Sequence, residues 1–285
     1  MSALRAVGLV PHRDRPEARA LAGRAAEWLA ARGVDVRVPE SDATGLEQLA
    51  CPVEGFGPGL DLVLSFGGDG TMLRAVDLVY EAGVPVLGVN AGQLGYLTEV
   101  EPPDVDAALA RLFAGDYTVA ERMVLQVSVE SAGPAGGRWW ALNEAVLEKP
   151  HPGRLARLDL AINGAFFTSY AADGVIVATP TGSTAYSFSA RGPIVSPRLR
   201  CLLLTPVSPH MLFDRSLVLD AEEELRATVS DDRPVLLTVD GIELGELAPG
   251  DVVTCTGGPR PARVVTLGPR DFHQILKAKF GLADR

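Results

Sequence analysis

Residues 60–74 read Leu-Asp-Leu-Val-Leu-Ser-Phe-Gly-Gly-Asp-Gly-Thr-Met-Leu-Arg, an apolar run that enters a glycine-rich turn. The run predicts a buried strand over 60–66, and the pattern after the turn predicts a helix over about 71–82. Because the three glycines lack Cβ atoms, the turn can adopt positive φ angles and let a ligand approach its amides. Such amides, together with the N-terminal end of the helix, form an anion-binding concavity. The segment therefore predicts a phosphate-binding site.

The turn carries a single carboxylate, that of Asp69. A carboxylate beside phosphate is unfavourable unless it binds a metal or removes a proton, so Asp69 indicates a phosphoryl-transfer site. Gly-Asp-Gly is also common in ordinary turns, where Asp69 could cap the helix from Thr71 onward. The segment is not a Walker loop, because it lacks G-x-x-x-x-G-K-[ST]. It is not a G-x-G-x-x-G fingerprint either, because Leu73 takes the third glycine position.

Composition narrows the class of protein. The chain has 285 residues, of which 47% are hydrophobic and 22% are charged, as expected for a soluble globular protein with two domains. Its net charge of −10 argues against nucleic-acid binding, which needs an extended basic face. The three cysteines are widely separated, which argues against a disulfide framework and a zinc site. With no signal-peptide core and no apolar stretch long enough to span a bilayer, we expect no membrane association and a cytoplasmic location.

Strands and helices alternate through the first third of the chain. The predicted strands are 6–10, 34–38, 60–66 and 85–89, and the predicted helices are 15–32 and 71–82. On the first helix, Ala18, Leu21, Ala25 and Leu29 share one face. Alternation of this kind predicts an open α/β domain with a parallel sheet, which we place at residues 1–101. The glycine turn then lies at the carboxyl end of a strand, where such sheets bind ligands.

The character of the chain changes after a predicted helix at 104–113. The predicted strands are 117–130, 138–148, 155–162, 165–171, 174–179, 215–219, 223–230, 233–240 and 251–256. They predict a β-sandwich-like domain over 102–266. A last helix at 271–280 is expected to pack back on the first domain, within a returning segment at 267–285.

A second glycine-rich turn, Asn90-Ala-Gly-Gln-Leu-Gly-Tyr-Leu97, follows the strand at 85–89. Asn90 can hydrogen-bond a sugar or a phosphate, and Tyr96 can lie against a base. An ordinary connection with a packed tyrosine would explain the same residues.

Two further segments carry polar groups where apolar ones are expected. Asn143 and Glu144 interrupt the apolar run 139–147, and adjacent residues of a strand face opposite ways, so at least one points to the interior or to a cleft. A ligand would satisfy that group, and a strand end or edge is the alternative explanation. The segment 173–197 contains Thr-Pro-Thr-Gly-Ser-Thr-Ala-Tyr-Ser at 179–187, with a helix expected to begin near residue 183 or 184. Its hydroxyls, amides and aromatic ring suit a nucleoside with its phosphates.

Taken together, these segments resemble the ATP-NAD kinase family, which makes NADP from NAD. The matching segments are 67–71, 90–97, 143–144, 179–187 and Leu-Thr-Pro-Val-Ser-Pro-His at 204–210, in the order that the family has them. The Gly-Gly-Asp-Gly turn alone is shared with diacylglycerol kinases, sphingosine kinases and phosphofructokinases. The block at 179–187 is the part that distinguishes the NAD kinases.

The resemblance implies roles for individual residues. Asp69 would be the catalytic residue that takes the proton from the 2′-hydroxyl of the adenosine ribose, and Arg74 would bind substrate phosphate. Arg154 falls where the family has a basic contact from a neighbouring subunit. The candidate nucleotide-binding residues are Gly68, Gly70, Thr71, Arg74, Asn90, Tyr96, Asn143, Glu144, Arg154, Asp173, Thr181, Ser183, Thr184, Ala185, Tyr186, Ser187 and Ser189. Ala171 and Ile242 depart from the family, which often has a basic residue and a glutamine there.

The resemblance also implies the reactants. NAD and ATP, or polyphosphate, would be the substrates, and Mg²⁺ would arrive on the ATP phosphates, with no residues assigned as metal ligands. We expect a homodimer or a homotetramer with sites shared between subunits. Two alternatives stay open from the residues alone: a lipid kinase that shares the Gly-Gly-Asp-Gly turn, and a sensor that binds NAD(P) without catalysis. The roles of His151 and His210 also stay open.

Overall fold

The structure is a computed structural model, and it describes residues 4–92, 95–268 and 271–282. The chain forms two compact units, Met1–Glu121 with Ala262–Arg285, and Arg122–Pro261. Within the described residues, no helix combines the length and the apolar character that a membrane crossing requires.

The elements are numbered in chain order. The strands are β1 (Ala6–Pro11), β2 (Asp35–Pro39), β3 (Ala50–Cys51), β4 (Leu62–Gly67), β5 (Val86–Asn90), β6 (Thr118–Arg122), β7 (Leu125–Glu130), β8 (Gly137–Ala141), β9 (Glu144–Glu148), β10 (Ala156–Ile162), β11 (Ala165–Ala172), β12 (Gly174–Ala178), β13 (Cys201–Val207), β14 (Leu217–Asp220), β15 (Leu225–Val229), β16 (Val235–Val239), β17 (Ile242–Leu247), β18 (Val252–Gly257) and β19 (Ala262–Thr266). The helices are α1 (Pro16–Ala30), α2 (Asp69–Val79), α3 (Val105–Ala114), α4 (Tyr186–Ser189) and α5 (Phe272–Phe280).

The first unit is built on a seven-stranded sheet of order β3-β2-β1-β4-β5-β19-β6, and its pairings from β3 to β19 are parallel. This confirms the open α/β domain. The predicted face of α1 is buried, because Ala18, Leu21, Ala25 and Leu29 all lie in the core. The strand order reverses between β1 and β4. From β1 the chain adds β2 and β3 on one side, and it then returns to add β4 on the other side of β1.

The domain boundary differs from the one expected at 101/102. Helix α3 packs Val105, Leu109 and Leu112 into the core of the first unit, and β6 lies beside β19 at the edge of its sheet. A hydrogen bond of 2.7 Å between the hydroxyls of Thr118 and Thr266 links those two strands. The sequence pattern predicts no strand at 262–266, and therefore no strand of the first sheet that β6 could adjoin. Helix α5 belongs to the first unit, as expected.

The second unit has two six-stranded sheets, β11-β10-β15-β18-β7-β8 and β14-β13-β12-β9-β16-β17. All of their pairings are antiparallel, and side chains of both sheets form one core, so the sandwich-like domain is confirmed. Two predicted strands were wrong in extent. The run 117–130 is β6 and β7, and the run 138–148 is β8 and β9, which lie in different sheets of the sandwich.

The second sheet has two covered faces. On β12, Val175 and Val177 enter the core between the sheets, while Ile176 and Ala178 face a smaller cluster that includes Val195. The segment after β12 therefore covers the outer face. Where a helix was expected to begin, near residue 183 or 184, the chain makes one 3-10 turn at Gly182–Thr184 and then the four-residue α4.

Candidate active site

The glycine turn of the first unit is tighter than the sequence analysis expected. Gly68 is the residue before α2 and Asp69 is its first residue, so the helix begins two residues before Thr71. Gly67, Gly68 and Gly70 all lack positive φ angles, which corrects the expectation for this turn. A Cβ at Gly67 would lie 2.7 Å from the Cβ of Thr71, whereas a Cβ at Gly68 or Gly70 would meet nothing within 4 Å. The glycines at 68 and 70 thus leave space open above the backbone.

Asp69 joins the two glycine turns. Its Oδ2 accepts a hydrogen bond from the backbone amide of Tyr96 at 2.8 Å, and its Oδ1 accepts one from Leu97 at 2.9 Å. Asp69 is the first residue of α2, and Gly68 is its N-cap, so the interpretation of Asp69 as the helix cap is wrong. Gly95 allows this approach, because a Cβ there would lie 2.9 Å from the carboxyl carbon of Asp69. Each carboxylate oxygen has two lone pairs, so Asp69 can still accept a hydrogen bond from a further donor.

Asn90 and Tyr96 belong to the second turn, of which Gln93 and Leu94 lie outside the described residues. The buried Asn90 donates through Nδ2 to both carboxylate oxygens of Glu101 at 3.1 Å, and its Oδ1 accepts from no described residue. This orientation offers an acceptor, which suits a sugar hydroxyl better than a phosphate. The Tyr96 ring lies 4.2 Å from Nζ of Lys279, and burial, with the charge of Asp69, raises the pKa of its phenol.

Arg74 lies on α2 and binds Asp42, a residue that the sequence motifs do not indicate. Its Nη1 donates to the carboxylate of Asp42, whose side chain is fully buried, and its Nη2 donates to Ser41 at 2.9 Å. Thr71, one turn earlier on α2, is buried. Asp42 is 32 residues away in sequence, and nothing in its local pattern indicates the pairing.

Asp240 organises the corner between β8 and β9 in the second unit. Its carboxylate accepts three backbone amides, from Leu142 at 2.7 Å, Asn143 at 2.8 Å and Glu144 at 3.0 Å. Asp240 has a positive φ of 47°, in a turn completed by Gly241 with a φ of 78°. The family resemblance singles out only Ile242 in this turn. The Asp-Gly pair was the available signal, because such pairs favour tight turns with positive φ.

Glu144 is a buried acid with an incomplete set of partners. The backbone of Tyr186 hydrogen-bonds to its carboxyl, while Oε2 is buried without a partner among the described residues. Burial, with the charge of Asp240, raises the pKa of Glu144 to about 8. At neutral pH Glu144 is therefore mostly protonated, and it carries an O–H that can donate to a ligand.

The block at 179–187 docks directly on this corner. The Thr179 backbone amide donates to Asn143 at 2.8 Å, its hydroxyl donates to the Leu142 carbonyl at 2.5 Å, and a Cβ at Gly182 would lie 2.8 Å from the Cα of Asn143. The structure thus brings the Asn143–Glu144 pair and the 179–187 block together, as one site would require.

Some hydroxyls of the block are used within the chain. Ser183 is fully buried and donates to the Pro180 carbonyl at 2.7 Å, and Ser187 is fully buried 3.0 Å from the hydroxyl of Thr205. Both side chains therefore hold the turn, and a direct ligand contact by them stays a prediction. Thr181 is also buried, Thr184 and Ala185 are half-buried, and Ser189 is exposed.

Tyr186 is exposed within the block, and Asp173 is a half-buried residue that directly precedes β12. Asp173 forms an ion pair with Lys149, and Tyr186 is 38% exposed. Burial, with the charges of Glu148 and Asp173, raises the pKa of the Tyr186 phenol.

The three remaining residues lie at exposed positions. Arg154 and His151 are in the loop between β9 and β10. His210 is exposed, and its backbone amide donates to the Ala171 carbonyl at 2.8 Å.

Two models of a known protein family match most of this chain. A model described as the ATP-NAD kinase N-terminal domain matches residues 7–117, and one described as the ATP-NAD kinase C-terminal domain matches residues 142–267. The chain belongs to the ATP-NAD kinase family. The resemblance recognised in the sequence motifs is thereby confirmed.

Curated relatives are similar along nearly the whole chain. An NAD kinase of Heliobacterium modesticaldum is 42% identical over 275 residues, which cover 96% of this chain and 97% of that protein. An NAD kinase of Moorella thermoacetica is 40% identical, covering 96% of this chain and 88% of that protein. Neither the lipid kinase nor the non-catalytic sensor is favoured by these relatives.

Solved structures of the family share the fold. The structure of yeast NADH kinase complexed with NADH has a TM-score of 0.91 and 26% identity, covering 100% of this chain and 89% of that chain. An NAD kinase from Archaeoglobus fulgidus in complex with ATP has a TM-score of 0.73 and 26% identity, covering 98% of each chain.

Proposed function

We propose that this protein is an NAD kinase, which transfers the terminal phosphate of ATP to the 2′-hydroxyl of the adenosine ribose of NAD and releases NADP. The observation that carries the proposal is the Asp69 carboxylate, held by the amides of Tyr96 and Leu97 beside a glycine turn with open space above it. The NAD kinase relatives, and the family structures that hold NADH and ATP, support the same reaction.

Asp69 is the proposed base. It would accept the proton of the 2′-hydroxyl as that oxygen attacks the γ-phosphorus, and the bond to the β,γ-bridging oxygen of ATP would break. Phosphoryl transfer depends mostly on positioning and on charge stabilisation, and a positioned base adds ~10²–10⁴-fold. The two backbone amides hold the carboxylate in place, which meets the geometric need of such a base.

The corner and block of the second unit are the proposed NAD-binding residues. The protonated Glu144 would donate to an acceptor of the nucleotide, and Asn143 would hold the adenosine part beside it. Tyr186 would lie against a ring of the nucleotide. The buried Oε2 of Glu144, unpartnered within the described chain, supports this assignment, because a buried polar atom without a partner is costly unless a ligand completes it.

Mg²⁺ is the proposed metal, and we infer that it enters on the phosphates of ATP. Among the described residues, no group of three or more His, Cys, Asp or Glu side chains is arranged to hold a metal ion. Mg²⁺ commonly binds through substrate phosphates and water with only one or two protein carboxylates. A site without such a group among the described residues is therefore compatible with Mg²⁺ bound on ATP. When bound, the ion would neutralise charge on the transferring phosphate.

We also propose a homo-oligomer. In the second unit, the rings of Phe167 and Phe213 pack edge to face with centroids 5.8 Å apart, and their chain neighbours Phe166 and Leu212 are 69% and 105% exposed. An apolar cluster of this kind on a surface favours association. Light scattering should give a dimer or a tetramer that Phe166→Ser weakens, and a monomeric wild type would overturn the proposal.

A cytoplasmic location is proposed from the thiols. Cys51, Cys201 and Cys255 are free, and free cysteines are typical of reducing compartments. Fractionation of the source cells with an antibody to the protein tests this location directly.

The activity is tested by incubating the purified protein with NAD, ATP and Mg²⁺ and detecting NADP with an NADP-specific dehydrogenase. Wild-type protein should form NADP, and Asp69→Asn should form far less. Parallel reactions with polyphosphate and with NADH establish the donor and acceptor preferences. Absence of product with both donors, although NAD binds, would overturn the kinase proposal.

A further inference from the structure

Two arginines share one buried carboxylate in the first unit. Oδ1 of Asp42 accepts a hydrogen bond from Nε of Arg13 at 2.7 Å and a second one from Nη1 of Arg74. The Asp42 side chain is fully buried, whereas those of Arg13 and Arg74 are 52% and 26% exposed. Since one oxygen atom receives both donors, the two guanidinium groups lie side by side and reach solvent together.

The charges in this cluster do not balance. Two guanidinium groups meet one carboxylate, which leaves about one net positive charge. The excess is notable in a chain whose net charge is −10. Arg13 is engaged with described side chains through Nε alone, so its two terminal nitrogens are available as donors. Arginine presents these donors in a planar fork that matches the oxygens of a phosphate.

The cluster also lies where an open α/β sheet binds ligands. Arg13 comes two residues after the end of β1, and Arg74 is on the helix that follows β4. Strands β1 and β4 are neighbours, and the sheet changes direction between them. Crevices beyond the carboxyl ends of strands at such a switch point are the usual ligand sites of this architecture.

We propose that Arg13 and Arg74, anchored together by Asp42, form one binding site for the phosphate chain of a nucleotide. Arg13 is the new member, since only Arg74 was expected to bind phosphate from the sequence. Asp42 holds the two forks at a fixed spacing before the ligand arrives, which lowers the ordering cost of binding. The proposal rests on the proposed function, because it concerns the nucleotides of that reaction.

The test uses inorganic tripolyphosphate, whose binding to the full-length protein is measured by calorimetry without any turnover. Arg13→Ala should weaken binding at least ~10-fold, as expected for the loss of a charged hydrogen-bonding group, and Arg13→Lys should recover part of the affinity. Arg32→Ala is the matched control. It removes the same charge from an exposed arginine that stacks on Trp28 near the far end of α1, and it should leave binding unchanged.

Steady-state kinetics then identify the nucleotide. Arg13→Ala should raise the KM for ATP, for NAD or for both, and the substrate whose KM rises is the one whose phosphates contact this site. Equal binding by Arg13→Ala and Arg32→Ala would overturn the proposal, as would a wild type that does not bind tripolyphosphate. Absence of NADP formation by wild type would instead overturn the proposed function. The binding assay therefore tests the arginine site, and the turnover assay tests the proposed function.

Discussion

The carboxylate of Asp240 accepts a hydrogen bond from the backbone amide of Glu144 at 3.0 Å. Burial of Glu144 is the main cause that raises the pKa of its carboxyl to about 8, and the negative charge of Asp240 is the second cause. Asp240 therefore holds the backbone of Glu144 and adds to the effect of burial that keeps the Glu144 carboxyl protonated. The pair explains why an acid is found at the start of a buried strand. At neutral pH it is an uncharged hydrogen-bond donor rather than a buried anion.

Protein stability should fall as pH rises because of Glu144. Its pKa is about 8 in the folded protein against an ordinary value of 4.5, so the folded state holds the proton more tightly. The stabilisation is complete below the ordinary pKa and is lost as pH rises through the folded one. From about pH 5 to about pH 8.5, wild type should lose on the order of 3 kcal/mol more unfolding free energy than Glu144→Gln. Urea unfolding at both pH values measures the difference, and parallel pH profiles for the two proteins would contradict it.

Asp240→Ala should destabilise the second unit. The substitution leaves the amides of Leu142, Asn143 and Glu144 without their acceptor, at a cost of about 2–3 kcal/mol. Asp240→Asn should cost less, because its amide oxygen still accepts. The control is Asp232→Ala, whose side chain is 88% exposed. Urea unfolding of the three variants tests this, and equal stability of Asp240→Ala and Asp232→Ala would show that the corner does not depend on Asp240.

Asp69→Asn should lower turnover by ~10²–10⁴-fold while the protein stays folded, because the amide cannot act as the base. Asn keeps one acceptor oxygen for the amides of Tyr96 and Leu97, so the change in unfolding free energy should be about 1 kcal/mol. Turnover and thermal unfolding are measured on the same preparation. Asp77→Asn, exposed on the same helix, should keep normal turnover. A folded Asp69→Asn enzyme with near-normal turnover would rule out the base role.

Gly70→Ala should separate ligand approach from folding. A Cβ at this position meets nothing within 4 Å, so the free energy of unfolding should stay the same or rise by up to about 1 kcal/mol. The KM for a nucleotide should rise at least several-fold, because the methyl group takes the space that its phosphates approach. Gly23→Ala on α1, where the nearest side-chain atom is 3.8 Å away, is the matched control. Unchanged KM values in Gly70→Ala would mean that no ligand approaches this turn closely.

Local patterns predicted most of the elements but misjudged how some of them join. The apolar run 138–148 has the composition of one strand, and it becomes β8 and β9 because Asp240 turns the chain at Leu142–Glu144. Strand β19 has no nearby partner in sequence, so its pairing with β5, and the place of β6 beside it, followed only from the folded sheet. Periodicity carries no information about such long-range pairings.

The sequence by itself determined the fold class, the family and the segments that hold the candidate site. Those properties depend on side-chain periodicity and on turn residues, which act over a few neighbouring positions. Only the tertiary structure decided that Asp69 is held by Tyr96 and Leu97, that Asp42 joins Arg13 to Arg74, and that Asp240 accepts the backbone amide of Glu144. The physical reason is that hydrogen bonds and charge interactions act over a few ångströms of space, whatever the distance along the chain. The groups that lie beside an acidic side chain therefore depend on which strand ends the folded sheets bring together.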